Sequence, residues 1–149
     1  MPNRRLARAS ILLLASLCGT ASVVATPPGF APREDVLEAC RALGGRVTLT
    51  SDPREAIEGA DVIYTDTWIS MGQEGDREQR LEAFQRYQLN ERLLGFAPSR
   101  ALVMHCLPAH RGEEITDAVL DGPRSVIFDQ AENRLHAQKG IIIHLLDGA

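Results

Sequence analysis

The feature that most constrains the fold of this chain is an alternation. Short apolar runs of strand length, "ASVVATP", "RVTLTS", "DVIYTDTW", "ALVMHCLP" and "SVIFDQ", are separated by segments with helical spacing. Continuous apolar runs of this length suit strands that are covered on both faces. Strands that alternate with helices pair in parallel, because each helix carries the chain back across the sheet. The sequence therefore predicts an α/β fold with a doubly wound, Rossmann-like parallel sheet.

The segments between the strands carry start and stop signals. "REDVLEACRALGG" sets Val36, Leu37, Ala39, Cys40 and Leu43 at helical spacing and ends on two glycines. In "SDPREAIEGA", Ser51 or Asp52 can cap a short helix, Pro53 suits its first turn and Gly59 ends it. "REQRLEAFQRYQLNERLLGF" reads as mostly helical, "GEEITDAVLDG" as a short helix and "AENRLHAQKGIIIHLLDG" as the last helix. At 149 residues the chain has the length of about one domain. It shows no repeat, low-complexity tract or inter-domain linker.

Two readings fit the N-terminal residues. Basic "NRRLAR", apolar "ILLLASLCGTASVVA" and the small residues of "VVAT" have the outline of a secretory signal peptide. Residues 6–17 also make an amphipathic core helix stopped by Gly19. The apolar run is too interrupted for a spanning helix of about 20 residues.

Composition excludes some function classes. A net charge of −4, with no basic cluster interleaved with aromatics, argues against nucleic-acid binding. The three cysteines, Cys18, Cys40 and Cys106, are odd in number and show no CxxC spacing. They give neither a disulfide framework nor a zinc signature, and a reducing, cytoplasmic compartment fits them best.

Ligands of doubly wound sheets bind beyond the carboxyl ends of the strands. Two segments lie there: "DTWISMGQE" (66–74) and "HCLP" (105–108). Asp66 can accept hydrogen bonds from an ammonium group or cap a turn. Ser70, Met71 and Gly72 offer a hydroxyl and backbone N–H groups for close approach to a small ligand, or form a plain polar loop. With Gly75 they also suit a lid. Cys106 can serve as a nucleophile, a polar contact or inert packing. His105 and Cys106 are adjacent in a strand, so their side chains point to opposite faces and make poor joint metal ligands. Arg134 suits an anion or carbonyl oxygen, or a surface ion pair with Glu132 or Asp129.

Together these segments resemble ornithine carbamoyltransferase. "DTWISMGQE" is similar to that family's ornithine-binding loop, "MHCLPAHRGEEI" to its Cys-Leu-Pro motif, and "VIFDQAENRLHAQK" to its final strand and helix. "VATPPGF" resembles the segment after the first helix of its second domain. The resemblance runs from about residue 6 to the end and assigns the apolar N-terminal run to a core helix. It implies transfer of a carbamoyl group from carbamoyl phosphate to the side-chain amine of L-ornithine, giving citrulline and phosphate. Asp66, Ser70 and Met71 are then expected to hold ornithine. Cys106 is associated with accepting a proton from the reacting amine, and with Leu107 and Arg134 it meets carbamoyl phosphate. No cofactor and no metal is expected.

The sequence also departs from that family. The "STRT" and "HPTQ" segments that grip phosphate are absent from it, and the missing domain makes most of the family's homotrimer contacts. The strand that opens the family's second domain is not matched either. The expectation is thus an ornithine-binding domain lacking its first central strand, inactive alone unless a separate chain carries the other half. An ungapped alignment puts Leu6 where the family has an ornithine-contacting Asn, and Asn3 is not assigned to that place. Two other readings stand: a non-catalytic amino-acid-binding or subunit-interaction domain, and a carbamoyltransferase for another amine or amino acid.

Overall fold

A computed structural model describes residues 5–69 and 74–148, with side chains from residue 11. The chain divides into two compact units, one through Ala56 and one from Ile57. Parallel strands alternate with helices in an α/β arrangement. No helix among the described residues is long and apolar enough to cross a membrane.

The first unit holds α1 (Arg5–Leu17), β1 (Ala21–Ala25), α2 (Glu34–Ala42) and β2 (Arg46–Thr50). The apolar N-terminal run forms α1. β1 and β2 pair in parallel, from Ala21 opposite Arg46 to Ala25 opposite Thr50. α2 buries Leu37 and Cys40 and ends in a Schellman motif. Gly44 N–H donates to Arg41 O and Gly45 N–H to Cys40 O, both at 2.9 Å. Gly44 takes φ 79, which a side chain would resist. Gly45 is needed for a different reason. A Cβ there would stand 2.1 Å from Ser16 Oγ and 2.9 Å from Cys40 O, and Ser16 is itself buried and bonded to Leu12 O at 2.7 Å.

α3 (Pro53–Ile57) crosses the division between the units. The second unit continues with β3 (Val62–Thr65), α4 (Arg77–Phe84), α5 (Glu91–Leu94), β4 (Leu102–His105), α6 (Asp117–Leu120) and α7 (Ile127–Leu146). β3 and β4 pair in parallel, from Val62 opposite Leu102 to Thr65 opposite His105. Beneath them lies one core containing Ile63, Leu89, Val103, Ile115, Val119, Leu120 and Ile127.

Three elements differ from the sequence reading. "SVIFDQ" is not a strand: only Ser125 bridges Val103, through Val103 N–H to Arg124 O and Val126 N–H to Val103 O. α7 then starts four residues before the expected Ala131, closed by Gln130 N–H to Val126 O at 2.8 Å. Three apolar residues carry no readable period, and Asp129 in the first turn favours the helix. The long helix expected over 77–96 breaks because Leu89 leaves it to pair with the segment near Ile115. Leu89 N–H meets Glu114 O at 2.9 Å, and Thr116 N–H meets Leu89 O at 3.1 Å. Asn90 then caps α5 by accepting from Leu93 N–H at 2.9 Å. The same pairing holds Glu113, Glu114 and Ile115 out of a helix, so α6 is only four residues long.

The two glycines that carry side-chain space differently set opposite expectations. Gly45→Ala drives a methyl into Ser16 and lowers stability by about 1–3 kcal/mol. Gly140→Ala, in α7 with nothing within 4 Å of the new methyl, raises it by up to about 1 kcal/mol. Chemical denaturation followed by circular dichroism checks both, and equal stability of Gly45→Ala and the parent contradicts the packing described.

Candidate functional site

The site grows from the β3–β4 register. Thr65 lies opposite His105, so the next residues of the two strands, Asp66 and Cys106, leave the sheet side by side. The Cys106 thiol donates to Asp66 Oδ1 at 2.9 Å. The same oxygen accepts Thr67 N–H at 2.8 Å, so Asp66 both braces its own turn and faces the thiol. Partial burial pushes the Cys106 thiol up to about 11, and the hydrogen bond to Asp66 and its charge push the same way. A hydrogen bond from Tyr64 opposes them. Cys106 therefore stands as a thiol that donates, rather than as a preformed thiolate.

Beyond Cys106 the chain turns sharply. Leu107 sits at φ 54, and the Leu107–Pro108 peptide is cis. A leucine in the left-handed region is held there by its surroundings. Leu107 N–H donates to Nδ1 of His105 at 2.8 Å. That leaves His105 Nε2 to carry the ring proton toward Glu114 Oε1, 3.2 Å away. Both side chains are fully buried. Glu114 Oε1 also accepts His110 N–H at 2.6 Å. Burial pushes the Glu114 carboxyl up, but the His105 hydrogen bond and the backbone N–H groups of His110 and Glu114 outweigh it and hold the acid below its usual range. His105 and Cys106 thus face opposite ways, as their adjacency in a strand requires.

Cys106, Leu107 and Pro108 line one open cleft of about 590 Å³ together with Phe128 and Arg134 of α7. Asp66 is not part of that lining but accepts from the Cys106 thiol beside it. Among the described residues Arg134 makes no ion pair. Glu132, one of its candidate partners, lies 3.8 Å from His136 instead. Arg111 also borders the cleft, but Asp117 and Asp121 hold it at 2.6 and 2.7 Å. Ser70 and Met71, the other candidate ornithine contacts, lie outside the described residues, as does Gly72.

His110, Glu113 and Glu114 bring possible metal-ligand atoms within 4.8 Å of one another. Hydrogen bonds engage His110 Nδ1 and Glu113, whereas Glu114 Oε2 is buried without a hydrogen-bond partner among the described residues. The Thr67 hydroxyl donates to Ile69 O at 3.1 Å, so His110 Nδ1, 3.0 Å from that hydroxyl, must be the donor to it. A protonated Nδ1 offers a metal no lone pair. Glu113 is engaged by Arg77.

The sequence did not single out Tyr64, Glu114 or Gln130. Two of them had a signal. Tyr64 stands two residues before Asp66, on the same strand face, and Gln130 stands four before Arg134, on the same helix face. Glu114 is distant from the motif by fold rather than by period.

Residues 5–145 match the family described as aspartate/ornithine carbamoyltransferase, Asp/Orn binding domain. The chain is 54% identical over 139 residues to the ornithine carbamoyltransferase of Methanoculleus marisnigri, covering 93% of this chain and 45% of that protein. It is similar to the solved ornithine carbamoyltransferase of Pyrococcus furiosus, with TM-score 0.86 and 46% identity over 95% of this chain and 46% of the other. It is also similar to a solved acetylornithine transcarbamylase complexed with acetylcitrulline, with TM-score 0.79 and 30% identity over 91% of this chain and 42% of that one. The chain thus spans about half the length of the relatives it matches.

The thiol's state can be read directly. At pH 8 only about 0.1% of Cys106 is thiolate if its pKa is about 11. Its alkylation by iodoacetamide, followed peptide by peptide by mass spectrometry, should rise about tenfold per pH unit from 8 to 10. Asp66→Asn removes a charge that raises the pKa, so alkylation at pH 9 should speed up by about threefold or more. A Cys106 profile already flat above pH 9 contradicts the thiol state described.

Proposed function

The chain belongs to the aspartate/ornithine carbamoyltransferase family through its Asp/Orn-binding domain, and from that premise we propose that it is the ornithine-binding half of an ornithine carbamoyltransferase of arginine metabolism. The reaction it would serve forms citrulline and phosphate from L-ornithine and carbamoyl phosphate. The observation that carries the reading is the thiol-to-carboxylate contact of Cys106 and Asp66 at 2.9 Å, at the edge of a cleft that also holds Leu107 and Arg134.

The chemistry follows from those groups. An ammonium has no lone pair, so the δ-amine must be neutral when it attacks the carbamoyl carbon. A C–N bond forms, the C–O bond to phosphate breaks, and one proton leaves the nitrogen. Cys106 accepts that proton only by handing its own to Asp66, because its S–H already points there. Asp66, with Ser70 and Met71, holds ornithine before attack. Leu107 and Cys106 border the carbamoyl group, and Arg134 stabilises charge that grows on the carbamoyl oxygen.

The finer fold and the partners are part of the same proposal. Two two-stranded parallel sheets, β1–β2 and β3–β4, suit a doubly wound sheet short of its first central strand. Two paired strands are marginal alone, and three or more are the usual minimum. Phe128, Leu135, Ile141, Ile142, Ile143 and Leu146 of α7 are exposed, which supports coverage by other protein surface. We place that surface on the carbamoyl-phosphate half and, in the assembled protein, on a homotrimer. The proposed compartment is cytoplasmic.

The 149 residues alone should form no citrulline above a boiled control, since neither reactant is fully positioned. Fused to the part of the M. marisnigri relative that they do not match, they should form it. In that fusion Asp66→Asn removes a charge-assisted hydrogen bond, a loss of about 1.5–3 kcal/mol, and should raise the ornithine KM by at least about tenfold. Cys106→Ala should lower kcat more than it changes that KM. Steady-state kinetics on both variants, with thermal melts on the same samples, separates these outcomes from loss of fold. Unchanged constants with lowered melting temperatures remove the two residues from the mechanism.

A further inference from the structure

We propose that His105 and Glu114 are positioning residues: their buried pair holds the amides of Leu107 and His110 and so sets the cleft wall that follows Cys106. The consequence for turnover rests on the carbamoyl-transfer reading above. The hold on the turn rests on geometry in the second unit.

That wall has little of its own to fix it. Leu107, Pro108 and Ala109 line the cleft after Cys106. Leu107 sits at φ 54, which a bulky side chain resists, and Pro108 has no N–H to give. Among the described residues the amides of Leu107 and His110 reach no backbone carbonyl. Their acceptors are side chains, His105 Nδ1 at 2.8 Å and Glu114 Oε1 at 2.6 Å.

Both acceptors are anchored outside the turn. His105 ends β4, and its own N–H is held by Gln130 Oε1 at 3.0 Å. The Glu114 carbonyl accepts Leu89 N–H at 2.9 Å, and Ile115 beside it is fully buried. Between them, His105 Nε2 stands 3.2 Å from Glu114 Oε1. That bond puts the ring proton on Nε2 and leaves Nδ1 the lone pair that Leu107 N–H needs. Glu114 therefore acts at both ends of the turn, directly at His110 and through the tautomer of His105 at Leu107.

The pair is a poor choice for stability alone. Glu114 Oε2 is buried without a hydrogen-bond partner. His110 Nδ1 stays 3.6 Å from it and gives its proton to Thr67 instead. A buried acid with an unsatisfied oxygen costs stability that an apolar pair of similar volume would keep. What an apolar pair lacks is two acceptors for the amides of the cleft wall.

The test compares variants that keep an acceptor with variants that move or remove it. An asparagine oxygen stands one bond past Cγ, as Nδ1 does, so His105→Asn keeps an acceptor for Leu107. His105→Gln puts its polar end at the reach of Nε2 and loses that acceptor. Glu114→Gln keeps a carbonyl oxygen for His110, and Glu114→Leu does not. Residue-resolved amide hydrogen exchange is measured in the 149-residue chain and in the fused enzyme. Val103 and Val126, bonded to backbone carbonyls, report the core. Leu107 should exchange about tenfold or more faster in His105→Gln than in His105→Asn, and His110 likewise in Glu114→Leu against Glu114→Gln. Val103 and Val126 should stay protected in all four. In the fused enzyme His105→Gln should lower kcat by about tenfold, with the ornithine KM in place, and His105→Asn should restore most of it. Equal exchange of Leu107 in the two His105 variants overturns the proposal. So does loss of protection at Val103 and Val126 together with Leu107, since the pair is then structural. A fused parent enzyme that never makes citrulline, with the exchange differences intact, would strike only at the carbamoyl-transfer reading.

Discussion

The site depends on one constraint, the parallel register of β3 and β4. Because Thr65 lies opposite His105, both strands run out at the same level, and the first residue past each is a hydrogen-bonding partner of the other. A slip by one residue would turn every side chain of a strand to the opposite face. Asp66 would then meet the face that His105 occupies, and Cys106 would meet none of its present partners. The register is pinned from below by Ile63 and Val103, buried against Ile115 and Ile127. Burial of those side chains is what makes the slipped pairing costly, at about 1.5–3 kcal/mol for each large apolar side chain returned to water.

The two faces at the end of β4 divide the labour. On one face Cys106 lines the cleft and donates to Asp66. On the other, His105 and Glu114 form a dry pair that never meets it. The dry pair acts through the backbone: His105 Nδ1 holds Leu107 N–H, and Glu114 Oε1 holds His110 N–H. A buried carboxylate without such donors would be strongly destabilising. With them it becomes a clamp on the chain from Leu107 to His110. The unusual φ at Leu107 persists because both sides of the turn are tied to side chains already fixed in the core.

What the sequence made legible, and what it did not, follows the range of the forces involved. β1 to β4 were readable because short apolar runs between segments of helical spacing are conspicuous, although β1 and β2 keep no fully buried residue and the expected cover on both faces is not met. Asp66 and Cys106 were readable as candidates because polar groups straight after such runs are conspicuous. The extent of α7 was not, since "VIF" is too short to show a period and its helical state is set by pairing with Val103. Nor was the break between α4 and α5, which is made by Leu89 bonding to residues 25 or more positions away. Glu114 was lost for the same reason: "GEE" looks like a helix start, and only the long-range pairing turns Glu114 inward. Tyr64 looked like one more apolar strand residue, because only the β3–β4 register sets it opposite Met104, two residues before Cys106.

On the proposed reading, electrostatics also sorts the two reactants. Asp66 carries negative charge on the β3 side of Cys106. Arg134 carries positive charge on the α7 side, and Arg111, the other guanidinium at the cleft, is already paired with two aspartates. An ornithine ammonium and an anionic carbamoyl donor entering together would each find the opposite charge on its own side. The reacting atoms would then meet over the sulfur between them. That arrangement raises a difficulty, because the carboxylate that attracts the ammonium also stabilises its charged, unreactive form. The contact of the Cys106 thiol with Asp66 bears on it. A thiol that already gives its proton to Asp66 offers the incoming nitrogen a lone pair instead of a bare carboxylate. Deprotonation can then be coupled to approach rather than required beforehand, and only an amine that reaches the sulfur, beside the carbamoyl carbon, is relieved of its proton.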